Sequence, residues 1–145
     1  MLLVHPGGPF WKKRDDGAWS IPKGEIETHE RPVDVAKREF REELGIDAPG
    51  GEWKELGTVR QAGGKLVYAW AVESEVDVTH VRSQTFEAEW PPRSGRTQPF
   101  PEVDRAEWFD LEMARRKINR AQAAFLDRLE KLGGRTRRPP VEGSG

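Results

Sequence analysis

With 145 residues, 35% of them hydrophobic and 34% charged, the chain has enough apolar material for one core in one domain, which excludes wholesale disorder. A formal net charge of −1 offers no bulk attraction for DNA, so an anionic ligand has to be caught locally. The absence of cysteine excludes a disulfide framework, a thiol nucleophile and a thiolate zinc site, and suits a reducing, cytoplasmic compartment. The apolar start, Met1 to Val4, breaks at once into His5-Pro6-Gly7-Gly8 and is too short for a signal peptide or a membrane span.

In chain order, Leu2 to His5 reads as a short β-strand. Pro6-Gly7-Gly8-Pro9 and Arg14-Asp15-Asp16-Gly17 are turn clusters flanking Phe10-Trp11, so this stretch is expected to be loop. From Arg31 to Leu44 the residues Val33, Ala36, Phe40 and Leu44 recur at helical spacing, Pro32 suits a first turn and Gly45 stands just past the end, which predicts a helix. Two β-type runs, Trp53 to Arg60 and Lys65 to Glu73, separated by Ala62-Gly63-Gly64, predict a hairpin. Val76 to Val81 and Thr85 to Trp90 predict edge strands, and Pro91-Pro92-Arg93-Ser94-Gly95-Arg96 opens an expected long loop to Pro101. Glu107 to Phe109 predicts a last short strand, Asp110 a helix cap, and Leu111 to Leu132 a helix broken near Asn119. Residues 1–132 are thus expected to form the domain, with 133–145, rich in Gly, Arg and Pro, as a flexible tail.

Chemistry concentrates on the predicted helix at Arg31 to Leu44. At about 100° per residue, Glu42 and Glu43 fall within about 60° of Glu39, so three carboxylates share one side. Like charges at such spacings cost roughly 0.2 to 0.5 kcal/mol per pair, and Arg38, four residues before Glu42, offsets part of that. The helix alone leaves two readings level: a solvated acidic face, or a seat for a hard divalent cation that keeps waters for phosphate oxygens to replace.

The whole segment decides between them. Gly24, Glu30 and Arg38-Glu39-Phe40-Arg41-Glu42-Glu43-Leu44-Gly45-Ile46 fit G-x5-E-x7-R-E-U-x-E-E-x-G-U at every specified position, a coincidence on the order of 10⁻⁷ at a given start. This pattern is the signature of the Nudix family, which the chain therefore resembles. Trp19-Ser20-Ile21-Pro22-Lys23 before it and the order of strands after it are similar too.

The resemblance implies an α/β (α+β) fold, an α/β/α sandwich around a mixed β-sheet. It also implies hydrolysis of a phosphoanhydride in a nucleoside diphosphate linked to another group, with Mg²⁺ as cofactor and Mn²⁺ able to substitute. Carried over, Glu39, Glu42 and Glu43 become metal ligands, joined by the backbone carbonyl of Lys23. Gly24 lets that loop approach closely, and Glu30 with Arg38 orients the helix carboxylates. Glu102, shortly before Trp108, matches the loop glutamate that members use as base or ligand, with Asp104 and Glu107 as alternatives. Family members usually carry a strand ahead of the one matched by Leu2 to His5. With that first strand missing here, either the fold closes without it, a partner chain supplies the edge and gives a homo-oligomer, or the sequence begins late.

For the substrate, a small nucleotide or polyphosphate such as a nucleoside triphosphate or dinucleoside polyphosphate, the residues suggest further contacts. Lys23 beside the metal loop and Arg93 and Arg96 in the long loop suit phosphate, and Trp19, Phe10, Trp11 or Trp90 can stack a base, although solvated loop arginines and core tryptophans are the plainer readings. His5, His29 and His80 show no ligand spacing. The competing function is a non-catalytic nucleotide-sensing or protein-interaction module on the same fold. A nucleic-acid-binding domain ranks below both, because the basic tail at Arg135 to Arg138 has no aromatic residues interleaved.

Overall fold

The computed structural model describes residues 1–23 and 31–133. Strand β1 (Leu2–Pro6) is followed by the turns of residues 7–18, and helix α1 spans Pro32–Leu44. A hairpin of β2 (Lys54–Arg60) and β3 (Leu66–Ala71) turns through a 3-10 segment at Ala62–Gly64, as the glycines there require. A second hairpin, β4 (Thr85–Glu89) with β5 (Thr97–Pro101), leads into β6 (Val103–Trp108), α2 (Leu111–Lys117) and α3 (Ala123–Gly133). The class is mixed α+β, as expected. Its ladders are three antiparallel pairs, β1 with β6, β2 with β3 and β4 with β5, and parallel pairing among the described residues is the single bridge Trp19–Ile118.

Helix α1 begins at Pro32, whose missing N–H is no loss in a first turn, and stops at Gly45, which takes the left-handed conformation at φ 70° and returns its N–H to Arg41 O at 2.8 Å. Its buried side is Val35, Phe40 and Leu44, so Val35 takes the place expected of Val33. Phe40 and Leu44 pack with Val4, Val103 and Ala106 of the β1/β6 pair. On the other side of the molecule, α2 and α3 pack on Met1, Leu3 and Trp19, and Phe125 of α3 packs on Leu56, Val67 and Ala69. Gly57 makes a bulge in β2 at φ 84°, and Arg128 of α3 fills it, donating from Nη1 to Leu56 O and Thr58 O at 2.9 and 2.8 Å. An apolar cleft of about 140 Å³ lies where Leu2 faces Tyr68 and Trp70, floored by Phe40 and Phe125.

Three expectations are corrected. Val76 to Val81 is not a strand: Asp77 closes a turn on Thr79 N, Val76, Val78 and Val81 pack on the core, and Val76 O accepts from Trp108 Nε1. The long loop before Pro101 is half strand, because Thr97–Pro101 pairs with Thr85–Glu89. Pro99 and Pro101 are tolerated since Glu102 N–H points across to Gln84 O; positions 98 and 100 face β4 in the same way, and the proline nitrogens face outward. The last strand is Val103–Trp108 rather than Glu107 to Phe109. Asp110 caps α2 by accepting from Met113 N at 2.8 Å, and Asn119 breaks the C-terminal helix where expected. Residues 134–145, most of the expected tail, lie outside the described residues.

Candidate active site

The last carbonyls of α1 have no partner within the helix, and the segment after Val81 supplies one for two of them: Arg82 N donates to Leu44 O and Gln84 N to Glu42 O, both at 3.0 Å. Gln84 passes the connection on, since its carbonyl accepts from Glu102 N at 2.9 Å, while Glu102 O accepts from Gly7 N at 2.9 Å. Ser83 Oγ accepts from Val103 N at 3.1 Å. The backbone thus pins Glu102 beside the end of α1 that carries Glu39, Glu42 and Glu43. Neither Ser83 nor Gln84 carried a sequence signal for this, because their backbone groups make most of the connection.

From the opposite side comes the Trp19–Lys23 segment. The buried Gln122 accepts from Ile21 N at 3.1 Å and donates to Ser20 Oγ at 3.2 Å and Gln61 Oε1 at 2.7 Å. That tether sets Lys23 against α1, where Lys23 N donates to Glu43 Oε1 at 3.0 Å. Arg38 Nη1 stands between two carboxylates, 2.9 Å from Glu39 Oε1 and 3.2 Å from Glu42 Oε1.

The electrostatics follow from this crowding. Burial pushes the Glu43 carboxyl up to about 8, against the lowering effect of the Lys23 N–H and charge, with Glu39 and Glu102 adding to the rise. Glu39 is also raised, first by burial and then by Glu42, with Arg38 opposing. Two desolvated carboxyls and the charge of Glu102 therefore share one field. Among the described residues no three His, Asp or Glu side chains are gathered closely enough to hold a metal ion as they stand. The donor set nevertheless fits a hard divalent cation: all carboxylate oxygen, partly withheld from water and mutually repelling.

The expected site residues divide accordingly. Glu39, Glu42, Glu43, Arg38, Glu102 and Lys23 come together. Gly24 and Glu30 lie outside the described residues. Arg93 and Arg96 are exposed near the tip of the β4–β5 hairpin; Arg96 stands six positions before Glu102, roughly 20 Å along the strand, and among the described residues no hydrogen bond or ion pair joins either arginine to the carboxylates. Trp19 is corrected: at 2% exposure it is core, edge-on to His5 and Phe109 at 5.1 Å and donating from Nε1 to Asp15 at 2.8 Å, so it offers no open face to a base. Asp104 is engaged elsewhere, 2.9 Å from Nδ1 of the buried His5, whose Nε2 meets Arg14 O at 2.6 Å; Glu107 sits opposite Leu3 on β6.

The NUDIX domain family model matches residues 1–129. The chain belongs to the Nudix family. Nudix members generally use a divalent metal such as Mg²⁺, and membership supports a hydrolase-type function on pyrophosphate-containing compounds. Among curated proteins no match was found. No described helix of this Nudix chain is long and apolar enough to cross a membrane.

Proposed function

We propose that the protein is a Mg²⁺-dependent pyrophosphohydrolase that cleaves a phosphoanhydride bond in a nucleotide-type substrate such as a nucleoside triphosphate or dinucleoside polyphosphate. The observation that carries this reading is the buried Glu43 carboxyl, held by the Lys23 N–H and repelled by Glu39 and Glu102, which argues for a cation beside it. In this reading Glu39, Glu42, Glu43 and the Lys23 carbonyl hold the metal. When bound, Mg²⁺ or Mn²⁺ supplies neutralisation of phosphate charge and a water acidic enough to attack. Arg38 holds the Glu39 and Glu42 carboxylates in direction. Glu102 takes the proton of the attacking water, whose oxygen bonds to phosphorus as the anhydride P–O bond breaks and the electron pair leaves with the departing phosphate. The Lys23 ammonium meets the substrate's phosphates, and Arg93 and Arg96 serve only a ligand long enough to reach the hairpin tip.

The absence of cysteine and of a described membrane-spanning helix supports a cytoplasmic setting. The free side of β3 supports self-association, since among the described residues it pairs with β2 alone. The second reading is a non-catalytic nucleotide-sensing or protein-interaction module, in which the Arg38 bridge to Glu39 and Glu42 stands in place of a cation. The test is Mg²⁺-dependent release of phosphate or a nucleoside monophosphate from a panel of nucleoside triphosphates and dinucleoside polyphosphates. Wild type should turn over and Glu43→Gln should lose at least about a hundredfold in kcat while folding normally. Nucleotide binding without turnover by wild type would select the sensing module.

A further inference from the structure

Gln122 sits in the 3-10 turn Arg120–Gln122 between α2 and α3 and is fully buried, so its amide must find every partner inside the protein. Its Oε1 accepts from Ile21 N at 3.1 Å, and its Nε2 donates to Ser20 Oγ at 3.2 Å and to Gln61 Oε1 at 2.7 Å. Ser20 Oγ donates its own hydrogen to Ile21 O at 2.6 Å, so it meets Gln122 as an acceptor, and the amide cannot be turned over without losing all three bonds. The main chain beside this turn grips the same segment, since Asn119 N donates to Trp19 O at 2.7 Å.

The segment so clamped ends against Glu43. Only Pro22 stands between Ile21 and Lys23, and its ring fixes its own φ and restricts the residue before it, so a shift at Ile21 is carried on to Lys23 rather than absorbed. Lys23 N donates to Glu43 Oε1 at 3.0 Å, and the Lys23 carbonyl is the one that the proposed function gives to the metal. Among the described residues Gln122 makes no hydrogen bond to a carboxylate of α1, and its third bond ties the clamp to Gln61 at the turn of the β2–β3 hairpin. Its influence on the site therefore passes through the main chain of residues 21–23.

We infer that Gln122 is a positioning residue for the carboxylate site: it holds the Lys23 main chain against Glu43 and thereby sets how readily the site takes up its divalent cation. The cation half rests on the proposed hydrolase function; the hold on Lys23 does not.

The experiment compares wild type with Gln122→Met, which keeps the length of the side chain and removes its hydrogen bonds, and with Arg128→Met, which loosens α3 from β2 without touching the Ile21 anchor. Amide hydrogen exchange of Lys23 in the metal-free protein, read by NMR, should quicken about tenfold in Gln122→Met, and the Mg²⁺ concentration for half-maximal uptake in calorimetry should rise about tenfold. The Mg²⁺ requirement for nucleotide hydrolysis should rise in step, with kcat recovered to within about threefold at saturating Mg²⁺. Arg128→Met should stay within about twofold of wild type in all of these, although thermal unfolding shows it destabilised. Unchanged Lys23 exchange or unchanged Mg²⁺ uptake in Gln122→Met would overturn the inference, as would equal changes in the two variants, which would make Gln122 a stabilising residue only. Should Gln122→Met fail to fold, Gln61→Met, which removes one bond of the clamp from its half-buried end, decides in its place: about threefold faster Lys23 exchange supports the inference and no change overturns it. Lys23 exchange that depends on Gln122 in a protein that neither takes up Mg²⁺ nor hydrolyses nucleotides would sink the hydrolase reading and leave the hold on Lys23 standing.

Discussion

Glu43 combines a position under the Lys23 N–H with a carboxyl raised to about 8 by burial. Between about pH 4.5 and 8 the folded, metal-free protein keeps a proton that the unfolded chain has released. Folding is then favoured at the acid end of that window, and stability falls as pH rises through it. The unfolding free energy from urea titration of protein held in a chelator should therefore drop from pH 5 to 8, by an amount on the order of a few kcal/mol, and Glu43→Gln should flatten the slope. A wild-type stability that changed with pH no more than the variant's over this range would contradict the assigned environment. That Glu39, Glu42 and Glu43 share one stretch of α1 was legible because helical spacing places them together. Trp19 was not, because a tryptophan's identity does not say which way its ring points. His5 was likewise invisible: its partners, Asp104 and the Arg14 carbonyl, come from other parts of the chain, and no short spacing encodes them.

At the scale of elements, α1 was legible almost to the residue, since period, proline and glycine all agree over Pro32–Leu44. Strand β5 was not, because Pro99 and Pro101 argue against a strand unless both nitrogens face outward, a fact of register rather than composition. The run at Val76 to Val81 misled in the other direction: its alternating valines serve core packing without a ladder partner. The joint between α1 and the Arg82–Gln84 segment is the element-level device on which the site depends. A Cβ at Gly45 would stand 2.5 Å from Arg82 O and force a side chain into the left-handed region. Gly45→Ala should cost about 1 to 2 kcal/mol and lower kcat by moving Glu102, measured by thermal unfolding and steady-state turnover. Unchanged turnover would show that the joint does not set the position of Glu102.

Across the whole molecule, three separate parts of the chain meet at one place: α1, the Lys23 segment tethered by Gln122, and the turn between β5 and β6 held by Gln84 and Gly7. The fold class was legible from patterning and signature, and the family match over residues 1–129 agrees. The resemblance implies a mixed β-sheet, and the described residues show three antiparallel ladders with one parallel bridge; the strand pairing itself was not legible, because both arrangements make similar demands on alternating residues. The structural account stands or falls on whether this meeting point takes up a divalent cation. Calorimetric titration of chelator-stripped wild type and Glu43→Gln with Mg²⁺ near pH 7, in two buffers of different ionisation heat, tests that directly. The account predicts saturable uptake by wild type with release of a proton, and loss of both in the variant. No uptake by wild type, or equal uptake by both proteins, would contradict it.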